Sequence, residues 1–80
     1  MYLITFHSQF DSNVFKRKMK EYGDVRQKPV PRSLSSACGT CCVFTPSDPW
    51  FNMESVFTKS FEKVYRIRED GSYDLLCAKD

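Results

Sequence analysis

Eighty residues suit one domain, residues 1–80, because a chain this size buries only roughly 60% of the surface its unfolded form exposes. Seven Phe, four Tyr and one Trp supply enough apolar area for a core without a metal or disulfide staple. Twelve basic residues against ten acidic ones leave a net charge of +2, too small a surplus to argue for nucleic acid or an anionic membrane as partner. The apolar run over residues 1–6 has no basic residue before it and no small-residue cleavage site after it, so it reads as neither signal peptide nor membrane span. A cytoplasmic protein is expected, its four cysteines thiols rather than a disulfide framework.

Tyr2-Leu3-Ile4-Thr5-Phe6-His7 is β-branched and aromatic and predicts a first strand. Ser8 and Asp11 then have capping-box spacing. Phe10, Val14, Phe15, Met19 and Tyr22 recur every three or four residues, Lys16, Arg17, Lys18 and Lys20 fall largely elsewhere, and Gly23 offers a C′ stop; a helix over residues 9–22 is expected. Its basic run reads as a solvated face, with an acidic docking partner as the sharper alternative. Residues 25–30 predict a second strand and 41–45 a third, joined by a hairpin-like loop.

Asp48 followed by Pro49 reads as an N-cap and N1 proline. Met53, Val56, Phe57 and Phe61 would mark the apolar face of a second helix, with Trp50 and Phe51 seating its start. Residues 64–68 predict a fourth strand, turned by Asp70-Gly71 into a last strand over 73–78. The order βαββαβ with a terminal hairpin predicts a ferredoxin-like split βαβ sandwich, an α+β fold with two helices on one face of a mostly antiparallel sheet. That hairpin could also add its edge to a second copy, giving a homodimer.

Three of the four cysteines lie just behind the stiff Pro29-Val30-Pro31 stretch, in a segment rich in Ser and Gly. In the expected topology the first strand ends, the first helix begins and this loop turns at one end of the sheet. His7, Ser8, Arg32 and Cys38 then converge. A helix N-terminus, an arginine or a protonated histidine beside a thiol favours the thiolate nucleophile, and backbone amides in such a turn can face an anion. Cys38 is the candidate nucleophile, with Arg32, Ser36, Gly39 and His7 as the groups that would hold its anionic sulfur.

The opening residues 2–8, the run Pro29-Val30-Pro31-Arg32-Ser33-Leu34-Ser35-Ser36-Ala37-Cys38-Gly39 and the closing Val64-Tyr65-Arg66-Ile67 resemble the selenium/sulfur carrier protein-like family over nearly the whole chain. The middle run is the specific part. The resemblance implies a group carrier that takes sulfur or selenium onto Cys38 as a persulfide or selenosulfide. The donor would be a cysteine desulfurase-like protein, the recipient an acceptor protein, with no cofactor and no metal. Cys41 and Cys42 depart from the family pattern after Cys-Gly and enter as resolving thiols.

Other readings of the same residues are weaker. Cys38-Gly39-Thr40-Cys41 is a C-x-x-C, but it leads into an extended segment instead of the helix start a thioredoxin-type centre requires. Cys38, Cys41, Cys42 and Cys77 could form a four-thiolate zinc site in a small interaction domain, yet such sites draw on two separated pairs; Cys77 alternates with Tyr73 and Leu75 and reads as packing. A Cys–His hydrolase lacks an identifiable orienting residue and oxyanion hole. An RNA-recognition motif would share the element order without its aromatic signature.

Overall fold

The computed structural model describes residues 1–34, 36, 38–52 and 61–78. Strand β1 (Tyr2–Phe6) leads into helix α1 (Gln9–Met19), followed by β2 (Gly23–Pro29), β3 (Thr40–Pro46), β4 (Phe61–Ile67) and β5 (Tyr73–Ala78). The strands form one sheet in the order β2-β3-β1-β4-β5, every neighbouring pair antiparallel. Helix α1 therefore carries the chain from β1 to β2 across β3, as the first half of a split βαβ unit requires. The described fold is α+β: one helix against a five-stranded antiparallel sheet. The second helix of the expected ferredoxin-like sandwich falls on residues 53–60, outside the described residues.

Ser8 caps α1 as its spacing predicts. Its Oγ accepts from the Asp11 amide at 3.2 Å and donates to Asp11 Oδ2 at 3.0 Å, while Lys16, Arg17 and Lys18 occupy the last turn, where the helix dipole favours cations. The buried face is Ser12, Phe15 and Met19. Phe10, expected on that face, is 69% exposed. The cause is polar compensation: Ser12 tolerates burial because Gln27 Nε2 donates to its Oγ at 2.9 Å and the Cys42 thiol lies 3.4 Å away. The smaller residue thus takes the sheet-facing position and Phe10 turns outward.

The helix ends at Met19, and the Tyr22 amide bonds back to the Met19 carbonyl at 3.0 Å. Gly23 is not its cap; it is the first residue of β2 and pairs with Pro46 of β3. A Cβ there would lie 2.2 Å from the Thr45 carbonyl oxygen and 2.7 Å from Pro46 Cα, so glycine is required by strand proximity.

The main core lies between α1 and the sheet. Phe6, Phe15, Phe44 and Phe61 meet with ring centroids 5.3–6.0 Å apart, mostly edge to face, and Phe51 joins at 5.3 Å from Phe44. Phe61 was expected to end the second helix; this ring contact and its pairing with Phe6 instead place it at the head of β4. Asp48 Oδ1 accepts from the Trp50 amide at 2.9 Å; the helix that Asp48 was expected to cap lies outside the described residues, Trp50 is 89% exposed, and only Phe51 packs inward. A second cluster, Leu3, Cys41 and Tyr65, occupies the opposite face, covered by Val30, Leu34, Val43, Ile67 and Tyr73.

Gly23→Ala should lower stability by about 1–3 kcal/mol, the usual cost of overpacking against rigid backbone. Thermal melting checks this, since each kcal/mol moves the midpoint by roughly 4–8 °C in a domain this small; a midpoint equal to the parent's would contradict the close β2–β3 approach.

Candidate functional site

The β2–β3 pairing runs out at Pro29 opposite Thr40, and the Val30 amide then bonds to the Gly39 carbonyl at 3.0 Å, closing the neck of a loop. From this neck the chain passes over the face of the sheet that lacks the helix. The Leu34 amide turns back to the Pro31 carbonyl at 3.0 Å, and Val30 and Leu34 pack on Leu3, Cys41 and Tyr65. Ser36 Oγ next donates to the Phe6 carbonyl at 3.2 Å, at the end of β1. Cys38 arrives against the helix-side core, half-buried, its Sγ donating to the Thr40 carbonyl at 3.2 Å. Gly39, at φ 72°, returns the chain to β3. The loop is therefore a strap that passes around the end of the sheet. Ser35 and Ala37 lie outside the described residues.

All four cysteines are free thiols, in different surroundings. Cys41 and Cys42 are consecutive in β3, so their side chains project to opposite faces. Cys41 is fully buried beneath the strap, donating weakly to the Pro29 carbonyl at 3.7 Å; burial pushes its pKa up to about 11, partly offset by Lys28. Cys42 is fully buried under α1 against Ser12, and burial raises its pKa as well. Either would need an opening of the fold before it could act as a resolving thiol. Cys77 sits half-buried in β5 opposite Val64, against the helix-side core, as a packing residue would. Only Cys38 lies in a loop.

Of the residues expected beside Cys38, Ser36 and Gly39 stand in the strap with it. Arg32 is exposed on the strap, and among the described residues no hydrogen bond or ion pair joins it to Cys38. His7 follows Phe6 at the same end of the sheet but turns toward β4, its Nδ1 3.9 Å from Glu62 Oε2. Glu62 Oε1 in turn accepts from the buried Thr5 hydroxyl at 3.2 Å. Sequence reasoning missed Glu62 because it put Phe61 on a helix face and began the fourth strand only at Val64. The register shifts between Thr5 and Phe6 in the β1–β4 ladder, so no clean alternation announced a strand there.

Among the described residues no group of three or more His, Cys, Asp or Glu side chains gathers to hold a metal ion, and the four-thiolate set considered from the sequence is split across the sheet. None of their helices is long and apolar enough to cross a membrane. Fold and strap together describe a small α+β domain that presents one loop thiol at the end of its sheet. The chain belongs to the family described as putative Se/S carrier protein-like, whose model matches residues 1–59. No curated protein and no solved structure matches it.

Two outcomes follow for the thiols. Native-state alkylation at pH 8 should modify Cys38 well before Cys41 or Cys42, and Leu34→Ala, which uncovers Cys41, should accelerate labelling of Cys41 selectively; peptide mapping by mass spectrometry reads both. Because folding raises the Cys41 pKa, the folded chain holds that proton more tightly than the unfolded one. The stability linked to it is fully present below pH 9.0 and is lost as pH rises through about 11. Urea titrations across this window should show a steeper decline for the parent than for Cys41→Ala.

Proposed function

We propose that this protein is a group carrier that holds sulfur or selenium on Cys38, as a persulfide or selenosulfide, and passes it to a partner protein. The observation that supports this best is the contrast among the four thiols. Two are buried with raised pKa, one packs in a strand, and Cys38 alone sits in a loop, within the segment matched by the family model. A carrier sulfur must reach a donor and then an acceptor, which a loop at the sheet's end allows and a strand interior does not.

The loading step needs no redox partner. Cys38 Sγ bonds to the terminal sulfur of a donor persulfide, the donor's own S–S bond breaks, and the donor leaves as a thiol. Loss of the Cys38 proton also releases the hydrogen bond to the Thr40 carbonyl. Arg32, exposed on the strap, and the Ser36 and Gly39 segment would face the negative sulfur once Cys38 has swung off that carbonyl. A donor of the cysteine desulfurase kind supplies the persulfide and an acceptor protein removes it. Unpaired thiols suit the reducing cytoplasm, and the strand order suits a complete ferredoxin-like sandwich with a second helix after Asp48.

Incubation with a cysteine desulfurase and cysteine should add the mass of one sulfur to the intact protein. The addition should be removed by reductant, abolished by Cys38→Ala and retained in Cys77→Ala. Equal loading of the Cys38→Ala variant would end this reading.

A further inference from the structure

The carboxylate of Glu62 stands at a place the carrier reading leaves without a purpose. The shift in the β1–β4 register between Thr5 and Phe6 turns the chain around residue 62, and irregularities of this kind re-aim side chains near functional sites. Glu62 is only 15% exposed, is fixed by the Thr5 hydroxyl through one oxygen, and presents the other to Nδ1 of the chain's one histidine, which is 42% exposed. The carboxylate lies 3.9 Å from Nδ1, an ion-pair contact for a charged ring, and so stands on the side of the ring opposite Nε2. His7 is also the residue immediately after the carbonyl to which Ser36 ties the strap.

Resting on the carrier reading, we propose that His7, positioned by Glu62, is the acid that protonates the donor sulfur as it leaves. In sulfur transfer the attacking and leaving sulfurs lie on opposite sides of the atom being moved. The group that serves the leaving sulfur therefore stands off from the attacking thiol instead of touching it. The two residues come to this end of the sheet from different sides: Cys38 packs against the helix-side core, whereas His7 turns toward Thr5 and Glu62.

The Cys38 thiolate, its proton gone to solvent, forms the new S–S bond. The donor S–S bond breaks, its electron pair stays on the donor sulfur, and that sulfur takes the proton from the His7 imidazolium, which recovers it from water. The sum is thiol plus donor persulfide giving Cys38 persulfide plus donor thiol, with no oxidant or reductant consumed. The need for an acid depends on the leaving group. A cysteine thiolate of pKa roughly 8.5 leaves poorly, and rates of exchange rise as the leaving thiol becomes more acidic.

Two persulfide donors separate the roles in single-turnover loading of the full chain, read by quenched intact-mass spectrometry. One is glutathione persulfide, an alkyl donor; the other is an aryl persulfide whose thiol is already acidic. His7→Gln should slow loading from the alkyl donor by about a hundredfold, at the foot of the range for general acids, and leave the aryl donor nearly unaffected. Glu62→Gln should show the same selectivity at smaller amplitude while retaining the parent's melting temperature. Equal slowing with both donors, or none, overturns the assignment and leaves the carrier reading standing. Failure of the unmodified protein to load Cys38 from either donor removes the carrier reading, and this proposal with it.

Discussion

The enclosure of β1 on both faces governs the rest of the molecule. Leu3, Ile4, Thr5 and Phe6 are each fully buried. An antiparallel sheet commonly leaves one face to solvent; among the described residues the one helix, α1, covers this sheet on the side of Ile4 and Phe6. The other side is closed by the strap, whose Val30 and Leu34 shield Leu3 and Cys41. A loop that completes a core is held by hydrophobic burial as well as by hydrogen bonds. Its described residues are therefore held by packing, although they carry no regular secondary structure. The Ser36 bond to the Phe6 carbonyl then sets where the strap rounds the sheet and delivers Cys38.

The same arrangement sorts the thiols by physical environment. Strand alternation sends Cys41 and Cys42 into opposite cores, and burial that disfavours the charged form suppresses both as nucleophiles. A chain with three cysteines in five residues thus keeps one available thiol without chemical competition from its neighbours. Cys42 also completes a polar contact for Ser12, which α1 buries against the sheet. These two cysteines pack in the two cores, and the third lies in the strap.

Much of this was legible in the sequence where one signal dominated. The capping pair at Ser8 and Asp11, the strand-forming opening run and the Asp70-Gly71 turn are local, and each element formed where its residues indicated. The turn closes with the Arg68 amide on the Ser72 carbonyl and Asp70 accepting from Ser72. Family likeness, carried by the proline-serine-cysteine run, indicated the candidate thiol. What escaped was set by partners distant in the chain. Ser12 displaced Phe10 because Gln27 and Cys42 satisfy its hydroxyl, Gly23 answers to the backbone of β3 and not to the helix before it, and Phe61 joined β4 because Phe6 and Phe15 lie there to receive it. A register shift concealed Glu62, since periodicity reads only regular ladders.

In the carrier role proposed above, the position of Cys38 bears on how storage is balanced against release. A fully exposed persulfide would exchange with any thiol it met, whereas a buried one could not be collected. Cys38 is half-buried, its back against the helix-side core and its thiol on the Thr40 carbonyl. A bound sulfur cannot occupy the same place as that proton, because a carbonyl oxygen repels a persulfide anion. Under that proposal, loading would turn the side chain away from Thr40, toward solvent or toward the strap that carries Arg32. The Ser36 bond to the Phe6 carbonyl and the Val30 bond to the Gly39 carbonyl hold the chain on either side of Cys38, and upstream of Ser36 the packing of Leu34 on the Leu3 cluster holds the strap against the sheet.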